Sequence, residues 1–113
     1  MTHGPKTFAY FRLIEQMFDL EREATKIYRE VLASGFLTQE ADEEHTKIVA
    51  TMDALNTLLA AAKADAQEAW DRGAEIRPQT DCLRIESRIE QSEAALYDAQ
   101  QAAYAKLREA QHG

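Results

Sequence analysis

The stretch Tyr10–Val31, YFRLIEQMFDLEREATKIYREV, decides the fold. Read in steps of three and four it gives Tyr10, Leu13, Met17, Leu20, Ala24, Ile27 and Val31. This is a seven-residue repeat with two apolar seam positions, the pattern of helices that pack along a common line. A second stretch answers it. From Ala41 the same steps give Ala41, His45, Ile48, Met52, Leu55, Leu59 and Ala62. Between them lies the breaker Ala33-Ser34-Gly35-Phe36-Leu37-Thr38. Folding the chain back there sets Tyr10 against Ala62, Leu13 against Leu59, Met17 against Leu55 and Leu20 against Met52. The same register sets Ala24 against Ile48, Ile27 against His45 and Val31 against Ala41. Large side chains tend to face small ones, as close packing requires.

Working outward, residues 1–6 read as a tail, with Pro5 suited to a first helical turn because its missing N–H is not needed there. Helix 1 is expected over about 5–33, closed by Gly35 in a left-handed cap. Thr38 is the expected N-cap of helix 2, and Glu40, Asp42, Glu43 and Glu44 fill the first turns, where the helix dipole favours negative charge. Helix 2 is expected over about 38–76, its repeat continuing through Ala66, Ala69, Gly73 and Ile76 before Gly73 and Pro78 punctuate its end. Helix 3 is expected over about 80–111, with the seam Ile85, Ile89, Ser92, Leu96, Ala99, Ala103, Leu107 and Ala110. A turn near Arg77 pairs Ile89 with Ala66, Leu96 with Leu59, Ala99 with Leu55 and Ala103 with Met52. The expectation is an all-α fold, one helical domain over 1–113 forming an elongated antiparallel three-helix bundle roughly 45–55 Å long. The alternative is a long helical hairpin whose third helix packs across a dimer. In this register Ala66 falls opposite Lys6 and Trp70 falls beyond the start of the chain. Trp70 is therefore expected to meet helix 3 or another molecule.

Composition agrees. Twenty alanines against four glycines and two prolines favour helix, because Ala loses least on entering one. A 45 % hydrophobic and 29 % charged chain suits a folded soluble protein rather than a disordered one. The formal net charge of −7 argues against direct binding to nucleic acid or an anionic membrane and leaves a basic protein partner open. The longest wholly apolar run, Leu58 to Ala62, is far short of a membrane span, and Met1 to Lys6 lacks the apolar run of a secretory signal. The single cysteine, Cys82, cannot form an internal disulfide, so a cytoplasmic protein is expected.

Few residues carry chemistry. Asp42 and His45 have the acid-x-x-His spacing of carboxylate metal sites in helical bundles. But Glu21 falls opposite Ala50 or Thr51, and Glu30 opposite Asp42 without a second histidine. A metal site would have to be completed across a dimer. None is expected, nor any cofactor, and His45 reads as a seam residue with its ring edge in water. Cys82 stands in a first helical turn, where the dipole lowers a thiol pKa, but no base marks it as a nucleophile and it reads as a small semi-buried side chain. There is no glycine-rich phosphate loop, no Ser–His–acid signature and no basic stripe with interleaved aromatics.

The feature that weighs most is a second apolar stripe on helix 1: Phe11, Ile14, Phe18, Tyr28 and Leu32. Either helix 1 uses both stripes inside one bundle, or this stripe, with Trp70, is a partner surface. The residues expected to bind a partner are Phe11, Ile14, Phe18, Tyr28, Leu32 and Trp70, and Phe18→Glu is expected to dissociate an assembly while leaving it helical. The expected function is a non-enzymatic interaction, adaptor or regulatory protein that forms a homo-oligomer. One alternative is an acidic inhibitor that occupies the basic surface of a nucleic-acid-handling protein; the Lys and Arg interspersed on helices 1 and 3 speak against it. The other is a carboxylate–histidine metal protein assembled across a dimer.

Overall fold

The computed structural model describes residues 4–75 and 79–112, the side chains at 79–83, 86 and 112 excepted. Three helices account for nearly all of it: α1 (Pro5–Ser34), α2 (Gln39–Asp71) and α3 (Gln79–His112). Their ends follow local chemistry. Pro5 opens α1, and Gly35 closes it at φ 82°, its N–H donating to the Val31 carbonyl at 2.7 Å. Thr38 caps α2, its Oγ1 accepting the Ala41 N–H at 3.1 Å, with Glu40 and Asp42 in the first turn.

The end of α2 differs from the expectation. The helix stops at Asp71 instead of running to about residue 76. Gly73 takes φ 72°, its N–H donates to the Trp70 carbonyl at 2.9 Å, and that of Ala74 donates to the Ala69 carbonyl at 2.9 Å. These are the closing bonds of a glycine-terminated helix, and they override the apolar periodicity that reaches Ile76. Ile76, Arg77 and Pro78 themselves lie outside the described residues.

The chain runs up α1, down α2 and up α3 in an elongated body of 60 × 23 × 18 Å. The centre of the bundle is α1, which packs against both other helices. Among the described residues no Cα of α2 comes within 8 Å of one in α3. The expected seam of α3 on α2 is therefore not a close backbone packing, although Ala103 and Met52 share one core cluster and Ile89 and Ala66 the other. The reason lies in α1, which carries two apolar stripes and offers one to each neighbour. The short side chains of α3 at Ala99 and Ala103 let it approach α1 closely.

Two clusters make the core. At the end nearest the α1–α2 turn, Ala24, Ile27, Tyr28, Val31, Ile48 and Ala103 are buried together, with Leu20, Ala41 and Met52 packed around them. At the other end Tyr10, Ile14, Phe18 and Ala66 are buried, with Phe11, Leu59, Ala62 and Trp70 against them. Both members of the expected pairs Ala24–Ile48, Leu20–Met52, Val31–Ala41 and Tyr10–Ala62 fall in the same cluster. Burying a side chain such as Ile14 or Phe18 is worth about 1.5–3 kcal/mol, so these clusters outweigh any local helix preference.

Candidate functional site

Because α2 and α3 splay apart over α1, a groove of about 240 Å³ opens between them. Its floor is Ile14, Met17, Phe18 and Glu21 of α1. One wall is Met52, Asn56 and Leu59 of α2; the other is Ile89, Glu93, Leu96, Tyr97 and Gln100 of α3. Tyr97 is 61 % exposed on the rim, a large aromatic presented to solvent.

Glu21 is the chemically distinctive residue of the groove. It is 4 % exposed among apolar neighbours. The Ser92 hydroxyl on α3 donates to its Oε2. Burial pushes the Glu21 carboxyl above its ordinary value, the Ser92 hydrogen bond pulls it back, and the charge of Glu93 adds to the rise.

Beyond each end of the groove stands a polar knot. Toward the α1–α2 turn, the Tyr28 hydroxyl is hydrogen-bonded to His45 Nε2, with the two rings edge to face at 5.1 Å. Tyr104 stands edge-on to Tyr28 at 6.2 Å. Burial, with Tyr104 beside it, pushes the Tyr28 phenol up to about 12. His45 is thus a half-buried seam residue held by a tyrosine.

At the far end the Trp70 indole Nε1–H donates to Thr7 Oγ1 at 2.6 Å, and Thr7 Oγ1 donates to Glu75 Oε2 at 2.5 Å. The same carboxylate accepts the backbone N–H of Thr7 at 2.8 Å and of Lys6 at 3.0 Å, capping α1 from the segment after α2. These bonds, that from the Thr7 hydroxyl foremost, hold the Glu75 carboxyl below its ordinary value. Trp70 therefore meets the first turn of α1, and the expectation that it reaches only helix 3 or another molecule is corrected. A helical side chain leans about one turn toward its own N-terminus, which brings the indole back to the height of Ala66.

The six residues expected to form a partner surface do not share one exposed face. Ile14, Phe18 and Tyr28 are buried inside the bundle, 2 %, 8 % and 6 % exposed. Phe11, Leu32 and Trp70 are half-buried. Phe11 and Trp70 gather with Tyr10 at the open end, and the Arg88 guanidinium covers the Phe18 ring at 4.9 Å. Ile14 and Phe18 still reach the groove, as its floor. Sequence reasoning missed the Glu21–Ser92 pair and the Glu75 cap. The first had a signal: Glu21 interrupts an apolar stripe and Ser92 an apolar seam. The second had none, because a carboxylate in a connecting segment shows no spacing to the helix it caps.

Among the described residues no group of three His, Cys, Asp or Glu side chains is placed to hold a metal ion, and no helix is long and apolar enough to cross a membrane. Comparison of the chain with protein-family models, curated proteins and solved structures found no match.

Proposed function

We propose that the protein is a non-enzymatic helical interaction module whose α2–α3 groove receives a helix from a partner. One observation carries this reading: α2 and α3 stand apart over an apolar floor, leaving open the position a fourth helix takes in a bundle. Size favours a helix over a small molecule. Pockets for small ligands run to about 300–1,000 Å³, whereas the 240 Å³ here is room for a few inserted side chains. Knobs spaced along an incoming helix fit such a space, with Tyr97 on the rim as an aromatic anchor.

The methionines supply the test. Met17 and Met52 both line the groove. With the methionine methyls carbon-13 labelled, addition of a leucine-rich amphipathic helical peptide is expected to move the Met17 and Met52 resonances to saturation at one peptide per chain. If self-association fills the groove, the same resonances move with protein concentration alone and sedimentation gives a dimer. Resonances that stay put under both conditions overturn the reading.

A further inference from the structure

The groove also selects the kind of helix it takes, an inference that rests on the interaction reading above. Two carboxylates, Glu21 on the floor and Glu93 on the wall, are among its lining residues, and no Lys or Arg among the described residues is. Ser92 engages Glu21 Oε2, and no donor among the described residues is bonded to Oε1. The Arg88 guanidinium lies over the Phe18 ring at the groove floor, and among the described residues it makes no ion pair with either carboxylate. A charge-assisted bond to a carboxylate set among apolar side chains is worth more than one in water. The surroundings fit a long cationic side chain. The methylene stem of a lysine would run along Met17, Met52 and Leu96, while its ammonium reached the carboxylates.

We propose that the occupant of the groove is a basic amphipathic helix from a different protein, which inserts a lysine or arginine between Glu21 and Glu93. Net charge separates this partner from a second copy of the chain. A second copy brings its own formal charge of −7 to an acidic groove, whereas a basic helix is steered toward it.

Three synthetic amphipathic helices of roughly 18 residues, alike but for one central apolar-face position, test this. That position is lysine, norleucine or glutamate. Binding to the full-length chain is measured by anisotropy of a dye on the peptide, with the Met17 and Met52 methyls as the site reporter. The lysine peptide is expected to bind about tenfold more tightly than the norleucine peptide, and the glutamate peptide most weakly. In the double variant Glu21→Gln, Glu93→Gln the lysine advantage is expected to shrink to about twofold, with unchanged helicity by circular dichroism. Glu93→Gln alone, at an exposed position, is expected to remove part of the advantage even if the double variant folds poorly.

Lysine and norleucine peptides that bind equally, both moving the methyls, overturn the cation selection and leave the groove reading standing. Peptides that leave both methyls unmoved overturn the groove reading and the selection with it. A dimer in sedimentation that the peptides compete apart makes a second copy the occupant and overturns the basic partner.

Discussion

Ser92 on α3 donates its hydroxyl proton to the Glu21 carboxylate on α1, so a polar interruption of one apolar stripe meets a polar interruption of another. The bond crosses the floor of the groove and sets the register of two helices that run in the same direction. Burial makes this carboxylate costly to keep charged, and stability against pH exposes that cost. Burial raises the folded carboxyl above 4.5, so the folded protein holds this proton where the unfolded chain has lost it. Stability from this group therefore falls as pH rises from 4.5 through the raised value. Glu21→Gln keeps an oxygen for Ser92 and loses the titration. It is expected to melt higher than the parent near pH 7 and to lose that margin below the ordinary carboxylate range. Ser92→Ala is expected to cost about 1.5–3 kcal/mol in urea unfolding at neutral pH, less once Glu21 is protonated. A margin for Glu21→Gln that does not change with pH would show the carboxyl to be unperturbed.

The cap on α1 links three segments through Thr7, which is fully buried. Thr7→Val keeps the shape and removes both the acceptor of Trp70 Nε1 and the donor to Glu75. It is expected to cost about 1–3 kcal/mol and to shift Trp70 fluorescence. Gly4 tests the same knot from the other side. A Cβ there would overlap the Glu75 side chain, so Gly4→Ala displaces Glu75 from its present position. Gly4→Ala and Glu75→Ala are therefore expected to be strongly non-additive in a double-mutant cycle. The stability that Glu75 adds is present above its ordinary range and lost as pH falls through its depressed value. Additive effects in the cycle would mean that Gly4 and Glu75 act apart.

Phe18 is now a core residue for mutagenesis. The ring is 8 % exposed, packed with Tyr10, Ile14 and Ala66 and covered by Arg88. Phe18→Ala is expected to cost about 3–5 kcal/mol, much of a small domain's stability. Phe18→Glu is expected to unfold the chain, reversing the expectation from sequence that it dissociates an assembly with helix retained. Circular dichroism decides: a folded, fully helical Phe18→Glu would return the stripe to the surface.

Tyr28 offers a spectroscopic check. Its phenol is expected to ionise near about 12, so absorbance titration of the four tyrosines should show a late phase that Tyr28→Phe removes. The same substitution removes the hydrogen bond to His45 and is expected to cost about 1 kcal/mol. A titration with no late phase would place Tyr28 in water.

Much of the hairpin was legible beforehand. The seam from Tyr10 to Val31 and its answer from Ala41 to Ala62 bring Ala24 to Ile48 and Leu20 to Met52 because apolar spacing is written directly into the residues. Caps were legible for the same reason: Pro5, Gly35 and Thr38 act through their own backbone and side chain within a turn. Trp70 was misplaced because a register of backbone positions ignores how far a large side chain leans. The groove was not legible, since it depends on the distance between two helices that scarcely meet.

The sequence by itself determined three helices, their stops apart from the end of α2, and the apolar faces they must hide, because these rest on short-range stereochemistry and periodicity. Only the tertiary structure decided how two apolar stripes on α1 were shared. Giving one to α2 and the other to α3 buries Ile14, Phe18 and Tyr28, holds α2 and α3 apart, and leaves Glu21 at the floor of the gap. That division follows from the summed packing of all three helices against one another, a quantity no single stretch of residues carries.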